Sequence, residues 1–272
     1  MKSIVLFTCL LFTFNSVAQQ VSNGQKPFVL GVTEEIVSVE LSEKRTLNIY
    51  LPEGYHQDSA TLYPVIYLLD GSANEDFIHI VGLVQFLTMI EFMPKSIIVG
   101  IANVDRKRDF TFPTSIEKDQ KDYPTTGGSA KFISFLAKEL LPFIEKKYKV
   151  NASKTIIGQS LGGLLATTVL LKNPGLFDNY IIISPSLWWD NESLLKEAPA
   201  LLSNLPTTPI QVYISVGTEG KVMENDAKDL VKVLQKSGRS NLKVIFKSLP
   251  EENHLTILHN SVYKAFEVLN QK

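Results

Sequence analysis

Short apolar runs at residues 64–69, 96–101, 154–158, 179–184, 210–216 and 242–249 dominate the pattern of this chain. Between them lie longer stretches with helix-like spacing of apolar positions, at 78–91, 131–148, 161–173, 226–236 and 255–269. Runs so short and so evenly apolar suit strands buried on both faces. Their alternation with helices predicts an α/β fold, a mostly parallel sheet with helices on both faces. Upstream, residues 35–41 and 45–51 alternate apolar and polar positions, which is the period of an antiparallel hairpin at an edge of the sheet. In such sheets ligands bind beyond the carboxyl ends of the strands, so the chemistry is sought in the loops that follow them. The sequence shows no internal repeat, no low-complexity tract and no second composition regime.

One of those loops carries Gly158-Gln159-Ser160-Leu161-Gly162, between the apolar run Thr155-Ile156-Ile157 and a helical stretch from Leu164 to Leu171. Five letters of this kind also fit a glycine-rich helix start with a capping serine. The flanking strand and helix favour a nucleophile elbow, in which a sharp turn lifts the Ser160 hydroxyl above the sheet. A serine hydroxyl needs a base near neutral pH, and four histidines are available. His56 lies in a turn, His79 at the start of an apolar helix and His259 within the last helix. His254 sits in the polar loop between the last strand and the last helix, and is the expected base. A carboxylate to orient it should follow a strand between Ser160 and His254. Glu219, in Gly217-Thr218-Glu219-Gly220, is the first candidate, with Glu224 and Asp226 behind it and a serine–histidine dyad as the other possibility. The oxyanion would take backbone N–H groups from Leu161 and from the Asp70-Gly71-Ser72 turn, at Gly71 or Ser72.

Composition adds bounds. With 272 residues, 44% hydrophobic, the chain can bury one large core. Residues 1–18 run from Lys2 through an apolar stretch to Ser16-Val17-Ala18, the order of a secretory signal peptide; this leaves residues 19–272 as one domain, periplasmic or secreted, without a membrane span. Cys9, the single cysteine, lies inside that leader, so the mature domain would have neither disulfides nor thiol-held metal. The net charge of −1 becomes one more negative when Lys2 is removed, and no run of like charge is long; this argues against nucleic-acid partners. The densest basic cluster, Arg106-Lys107-Arg108, reads as a loop.

Several segments together resemble the Putative esterase family of α/β hydrolases. They are 45–55 (RTLNIYLPEGY), 63–71 (YPVIYLLDG), 108–113 (RDFTFP), 127–148 (ending ELLPFIEKKY), 156–163 (IIGQSLGG) and 177–189 (ending SPSLWW). The family includes enterobactin esterases, esterase D, feruloyl and acetyl-xylan esterases and mycolyltransferases. The resemblance implies an α/β-hydrolase fold with Ser160 as nucleophile and His254 as base. In many relatives the acid stands one position later, where this chain has Gly220. Beside the active site, the resemblance places Arg108, whose planar fork would meet an anionic group or pair with Asp109. Trp188 and Trp189 would wall the site, or one of them would pack in the core. The function expected is a secreted serine carboxylesterase, with no cofactor and no metal, acting on a small-molecule or polysaccharide-linked ester: a siderophore, a feruloyl or acetyl polysaccharide, or a short-chain ester. An acyltransferase and a non-catalytic carbohydrate- or siderophore-binding protein are the alternatives.

Overall fold

The computed structural model describes residues 26–270. The chain divides into Met1–Leu30, of which the described part has no regular structure, and Gly31–Lys272. The expected signal peptide and Cys9 lie outside the described residues.

Eight strands form one sheet: β1 Val32–Ser38, β2 Glu43–Tyr50, β3 Tyr63–Leu68, β4 Ile97–Ile101, β5 Val150–Gln159, β6 Asn179–Ile183, β7 Ile210–Val216 and β8 Leu242–Ser248. Their order is β1-β2-β4-β3-β5-β6-β7-β8. β1 and β2 pair antiparallel, β2 joins β4 antiparallel, and every later pairing is parallel. The expected architecture, a mostly parallel α/β-hydrolase sheet with an antiparallel amino-terminal edge, is what the chain forms. β4 and the isoleucines of β6 are buried, because helices cover both faces there.

The helices are α1 Phe77–Met89, α2 Arg106–Phe110, α3 Glu117–Asp122, α4 Ser129–Phe135, α5 Leu141–Lys147, α6 Leu161–Lys172, α7 Trp189–Leu201, α8 Lys221–Lys236 and α9 Ile257–Leu269. Three differences from the sequence pattern have local causes. The first strand ends at Ser38 and not at residue 41, because Glu139 accepts the Ser38 hydroxyl and the N–H groups of Val39 and Glu40 and draws the chain out of the ladder. The helix expected over 131–148 widens to a π turn at Leu136–Leu140. Pro142 lies just beyond, and its ring and missing N–H oppose a regular turn there. Residues 106–108, read as a loop, begin α2, where the Asp105 side chain caps the Arg108 N–H at 3.0 Å.

Candidate active site

β5 ends at Gln159 and α6 begins at Leu161, so Ser160 is the single residue between strand and helix. It takes φ 59° and ψ −120°, a left-handed conformation costly for a residue with a side chain, on the order of 1–3 kcal/mol. Three backbone bonds hold it there. Its N–H donates to Ile183 O at 3.0 Å, and its C=O accepts from Leu164 at 2.9 Å and Ser186 at 3.0 Å. The turn closes only without side chains at its flanks. A Cβ on Gly158 would run into the Gly162 backbone, and one on Gly163 would come within 2.9 Å of Pro185 Cα.

The loop after β8 brings His254 to this elbow. Its Nε2 lies 3.0 Å from Ser160 Oγ, and its Nδ1 lies 2.5 Å from Glu219 Oε2. Glu219, in the loop after β7, also accepts the Ser184 hydroxyl and, at 3.0 Å, the Gly217 N–H. Burial pushes the Glu219 carboxyl up, but the hydrogen bonds from His254, Ser184 and Gly217 outweigh it and hold the group below its ordinary value. Glu219 is therefore ionised at neutral pH, keeps the proton on Nδ1 and leaves Nε2 free to accept from Ser160. The two loops are tied together: Thr218 N–H donates to Glu252 O at 2.8 Å and its hydroxyl to Pro250 O at 2.9 Å. Gln159 Nε2 donates to His254 O, fixing the histidine to the residue before the serine.

The other two acid candidates are elsewhere. Glu224 accepts the Glu219 N–H at 3.2 Å, and Asp226 is buried on α8.

Of the further expected site residues, Gly71 is placed differently from the sequence reading, while Arg108 and the tryptophan pair take the second of the two readings given for each. Gly71 has already given its N–H to Ile101 O at 3.0 Å, so it is not free to meet an oxyanion. It is a glycine because a Cβ there would collide with the backbone of Gly100 in β4. Ser72 N–H has only a long 3.4 Å contact to Glu75 Oε2. Arg108 commits its fork to Glu43 at 2.6 and 3.1 Å and to Asp109 at 2.8 Å, the pairing that stiffens the loop. Trp189 is fully buried and donates from Nε1 to Phe112 O, while Trp188 stays partly exposed.

Residues 38–263 match the family described as "Putative esterase". The chain belongs to the Putative esterase family. Over 261 residues it is 30% identical to the ferri-bacillibactin esterase BesA of Bacillus subtilis, covering 88% of this chain and 89% of that one. Among solved structures, an IroE-like serine hydrolase from Shewanella oneidensis superposes with TM-score 0.81 at 31% identity, covering 88% of this chain and 79% of that one. The BES protein of Bacillus cereus superposes with TM-score 0.79 at 28% identity, covering 93% and 100%. The protein is a serine hydrolase acting on ester bonds.

In this esterase a cavity of about 400 Å³ opens over the serine, lined by Ser160, His254, Gln159, Leu255, Arg106 and the acidic trio Asp70, Glu75 and Asp76. Arg106, missed in the sequence because its cluster reads as a solvated turn, binds Asp70 through two bonds of 2.6 and 2.9 Å. It also reaches Gln159 O at 3.2 Å. Ser186, whose Oγ lies 3.3 Å from Ser160 Oγ, also escaped notice, although it belongs to the SPSLWW segment that carries the resemblance. Among the described residues no helix is long and apolar enough to cross a membrane.

Burial, then repulsion by Asp70 and Glu75, pushes the Asp76 carboxyl up to about 6 against the pull of Arg106. The native state thus keeps a proton that the unfolded chain has already lost, and ionising it costs stability as pH rises through about 6. Asp76→Asn is expected to raise Tm at pH 8, with the gain shrinking as pH falls through 6 and vanishing near pH 4. A series of thermal melts from pH 4 to pH 8 checks this. An equal shift at both ends would show that the charge is not the cause.

Proposed function

We propose that this esterase is an exported hydrolase of siderophore esters that works through an acyl-enzyme on Ser160. The observation that carries the mechanism is the continuous chain from Ser160 Oγ through His254 to Glu219, at 3.0 and 2.5 Å. Ser160 Oγ attacks the ester carbonyl while His254 Nε2 takes its proton. The resulting oxyanion is met by Leu161 N–H, which the start of α6 leaves without an intrahelical acceptor, and by Ser72 N–H in place of Gly71. Collapse expels the alcohol with the proton from Nε2. Water then gives a proton to His254 Nε2 as it attacks the acyl-serine, and collapse breaks the bond to Ser160 Oγ, which takes that proton back from Nε2 as the acid leaves. Glu219 keeps its charge throughout and offsets the imidazolium as it forms.

The likeness to the ferri-bacillibactin esterase over most of both chains supports the substrate class. Export rests on the leader pattern of residues 1–18. The decisive experiment offers purified residues 19–272 ferric enterobactin, methyl ferulate, acetylated xylan and p-nitrophenyl butyrate, and follows labelling by a fluorophosphonate. The proposal expects trilactone cleavage at the highest kcat/KM and a single adduct on the Ser160 peptide, absent from Ser160→Ala. Preference for ferulate or acetylxylan would move the substrate to plant polymers. Transfer of the acyl group to an added sugar in place of water would establish an acyltransferase.

A further inference from the structure

Two histidines that play no part in the catalytic chain meet on the surface. His79 is the third residue of α1 and His259 the third of α9, and the two helices pack against each other. Phe77 and Ile80 on α1, and Leu258 and Val262 on α9, are buried, which leaves the polar rings at the exposed rim of the joint. The ring centres lie 3.6 Å apart with the planes at 77°. Aromatic pairs rest at about 4.5–7 Å, so these two stand unusually close. Of the four histidines only His254 has ring nitrogens bonded among the described residues, so those of His79 and His259 are open to a ligand. Loss of water around its ring, and then the charge that His259 would carry, hold His79 below its ordinary value. It is therefore neutral at pH 7, with a lone pair to give.

We propose that His79 and His259 together bind a late first-row divalent cation, Zn²⁺, Ni²⁺ or Cu²⁺, across the joint between α1 and α9. Imidazole suits these ions, whereas Mg²⁺ and Ca²⁺ seek oxygen. A tetrahedral ion holds each nitrogen at about 2.0–2.1 Å, which puts two ligating nitrogens about 3.4 Å apart, close to the separation of the ring centres. Both side chains are exposed, so rotation of the rings can aim one nitrogen of each at a common point. Among the described residues no third histidine, cysteine or carboxylate completes the set. Water fills the remaining positions, and the ion is held more weakly than in a closed four-ligand site and exchanges freely. Its place gives it an effect. α1 starts directly after Asp76 and α9 two residues after Leu255, and both of these line the cavity over Ser160. Bound to both helices, the cation clamps the joint behind that cavity. It supplies stability and takes no step of the reaction, whichever ester is cleaved.

The test uses the protein without a histidine tag, whose four imidazoles give a short NMR spectrum. Substoichiometric Ni²⁺ is expected to broaden the His79 and His259 signals before those of His56 and His254. Calorimetry with ZnCl₂ is expected to show one saturable site that weakens at least tenfold in His79→Phe and in His259→Phe, and MgCl₂ should give no binding. Phenylalanine keeps the ring contact and removes the ligand, so without metal both variants should melt within about 2 °C of wild type. Saturating Zn²⁺ should raise the Tm of wild type by at least about 3 °C and leave both variants unmoved. Metal-free esterase activity of the variants should stay within twofold of wild type. Should His79→Phe not fold, His79→Gln and the Ni²⁺ spectrum still decide. Absence of saturable Zn²⁺ binding, equal affinity in wild type and His79→Phe, or broadening of His254 or His56 ahead of this pair overturns the site. Loss confined to one of the two variants would mean that a single imidazole binds, and it overturns the clamp as well.

Discussion

Glu219→Gln is expected to lower kcat about 10⁴-fold, with KM little changed. The amide is nearly isosteric, and its carbonyl oxygen can keep the bonds from Ser184 and Gly217 that now go to Oε1. That choice turns the NH₂ group towards His254 Nδ1, 2.5 Å from Oε2 in the native protein. Nδ1 must then accept, the proton moves to Nε2, and Nε2 faces Ser160 Oγ as a donor when it must accept. The neutral amide also no longer offsets the imidazolium that forms as Ser160 attacks. The two losses act in the transition state, so they fall on kcat. Steady-state kinetics on p-nitrophenyl butyrate, with a melt to verify folding, measure the effect. A variant within tenfold of wild type would mean that Ser160 and His254 work as a dyad and that Glu219 only ties loops together. Glu224→Gln, whose carboxylate touches the Glu219 N–H and not the histidine, should cost less than tenfold.

What could be read in the sequence, and what could not, follows from the range of the interactions. Ser160 stands out because its elbow is local: strand, glycines and helix lie within about fifteen residues. His254 stands out because only four histidines exist and one follows the last strand. Glu219 needed the site geometry to separate it from Glu224 and Asp226, since all three carboxylates follow β7 and only loop shape chooses among them. The mostly parallel sheet and its antiparallel edge are legible from the alternation of runs; the order in which β4 and β3 lie is not, and the end of β1 depends on Glu139, about a hundred residues away. The Arg106–Arg108 cluster misleads for the same reason. Its three charges look equivalent in sequence, yet Arg106 turns to Asp70, Arg108 to Glu43 and Lys107 to Tyr123, partners set by strands β2 and β3 and by the segment after α3. Gly71 reads as a donor because glycine turns are good donors; the pairing of its N–H with Ile101 appears only once β4 lies beside β3.

Asp109→Ala is expected to destabilise the protein by about 3 kcal/mol, because it takes from a buried cation the one of its two carboxylate partners that is itself fully buried. Asp109 and Arg45 are each 1% exposed, and the carboxylate lies 2.5 Å from Arg45 Nη2. Arg45 retains Glu43 at 2.5 Å, but its Nε already has no partner, and its guanidinium rests on the Phe132 ring, where water cannot replace the lost bond. For a domain of this size such a loss lowers Tm by about 10 °C, which calorimetry resolves. A shift below about 2 °C would mean that water or Glu43 takes over, and the pair would not count as buried. The double variant Arg45→Leu/Asp109→Leu should recover most of the stability, since removing both charges removes the desolvation cost as well. It should not recover function in proportion. Asp109 belongs to α2 and also holds Arg108 at 2.8 Å, so the network fixes the short helix that carries Arg106 and Lys107. A helix of five residues has little stability of its own. Without its buried anchor α2 loosens, and with it the Arg106 contact to the carbonyl beside Ser160. Esterase activity of the double variant should therefore lag behind its recovered Tm.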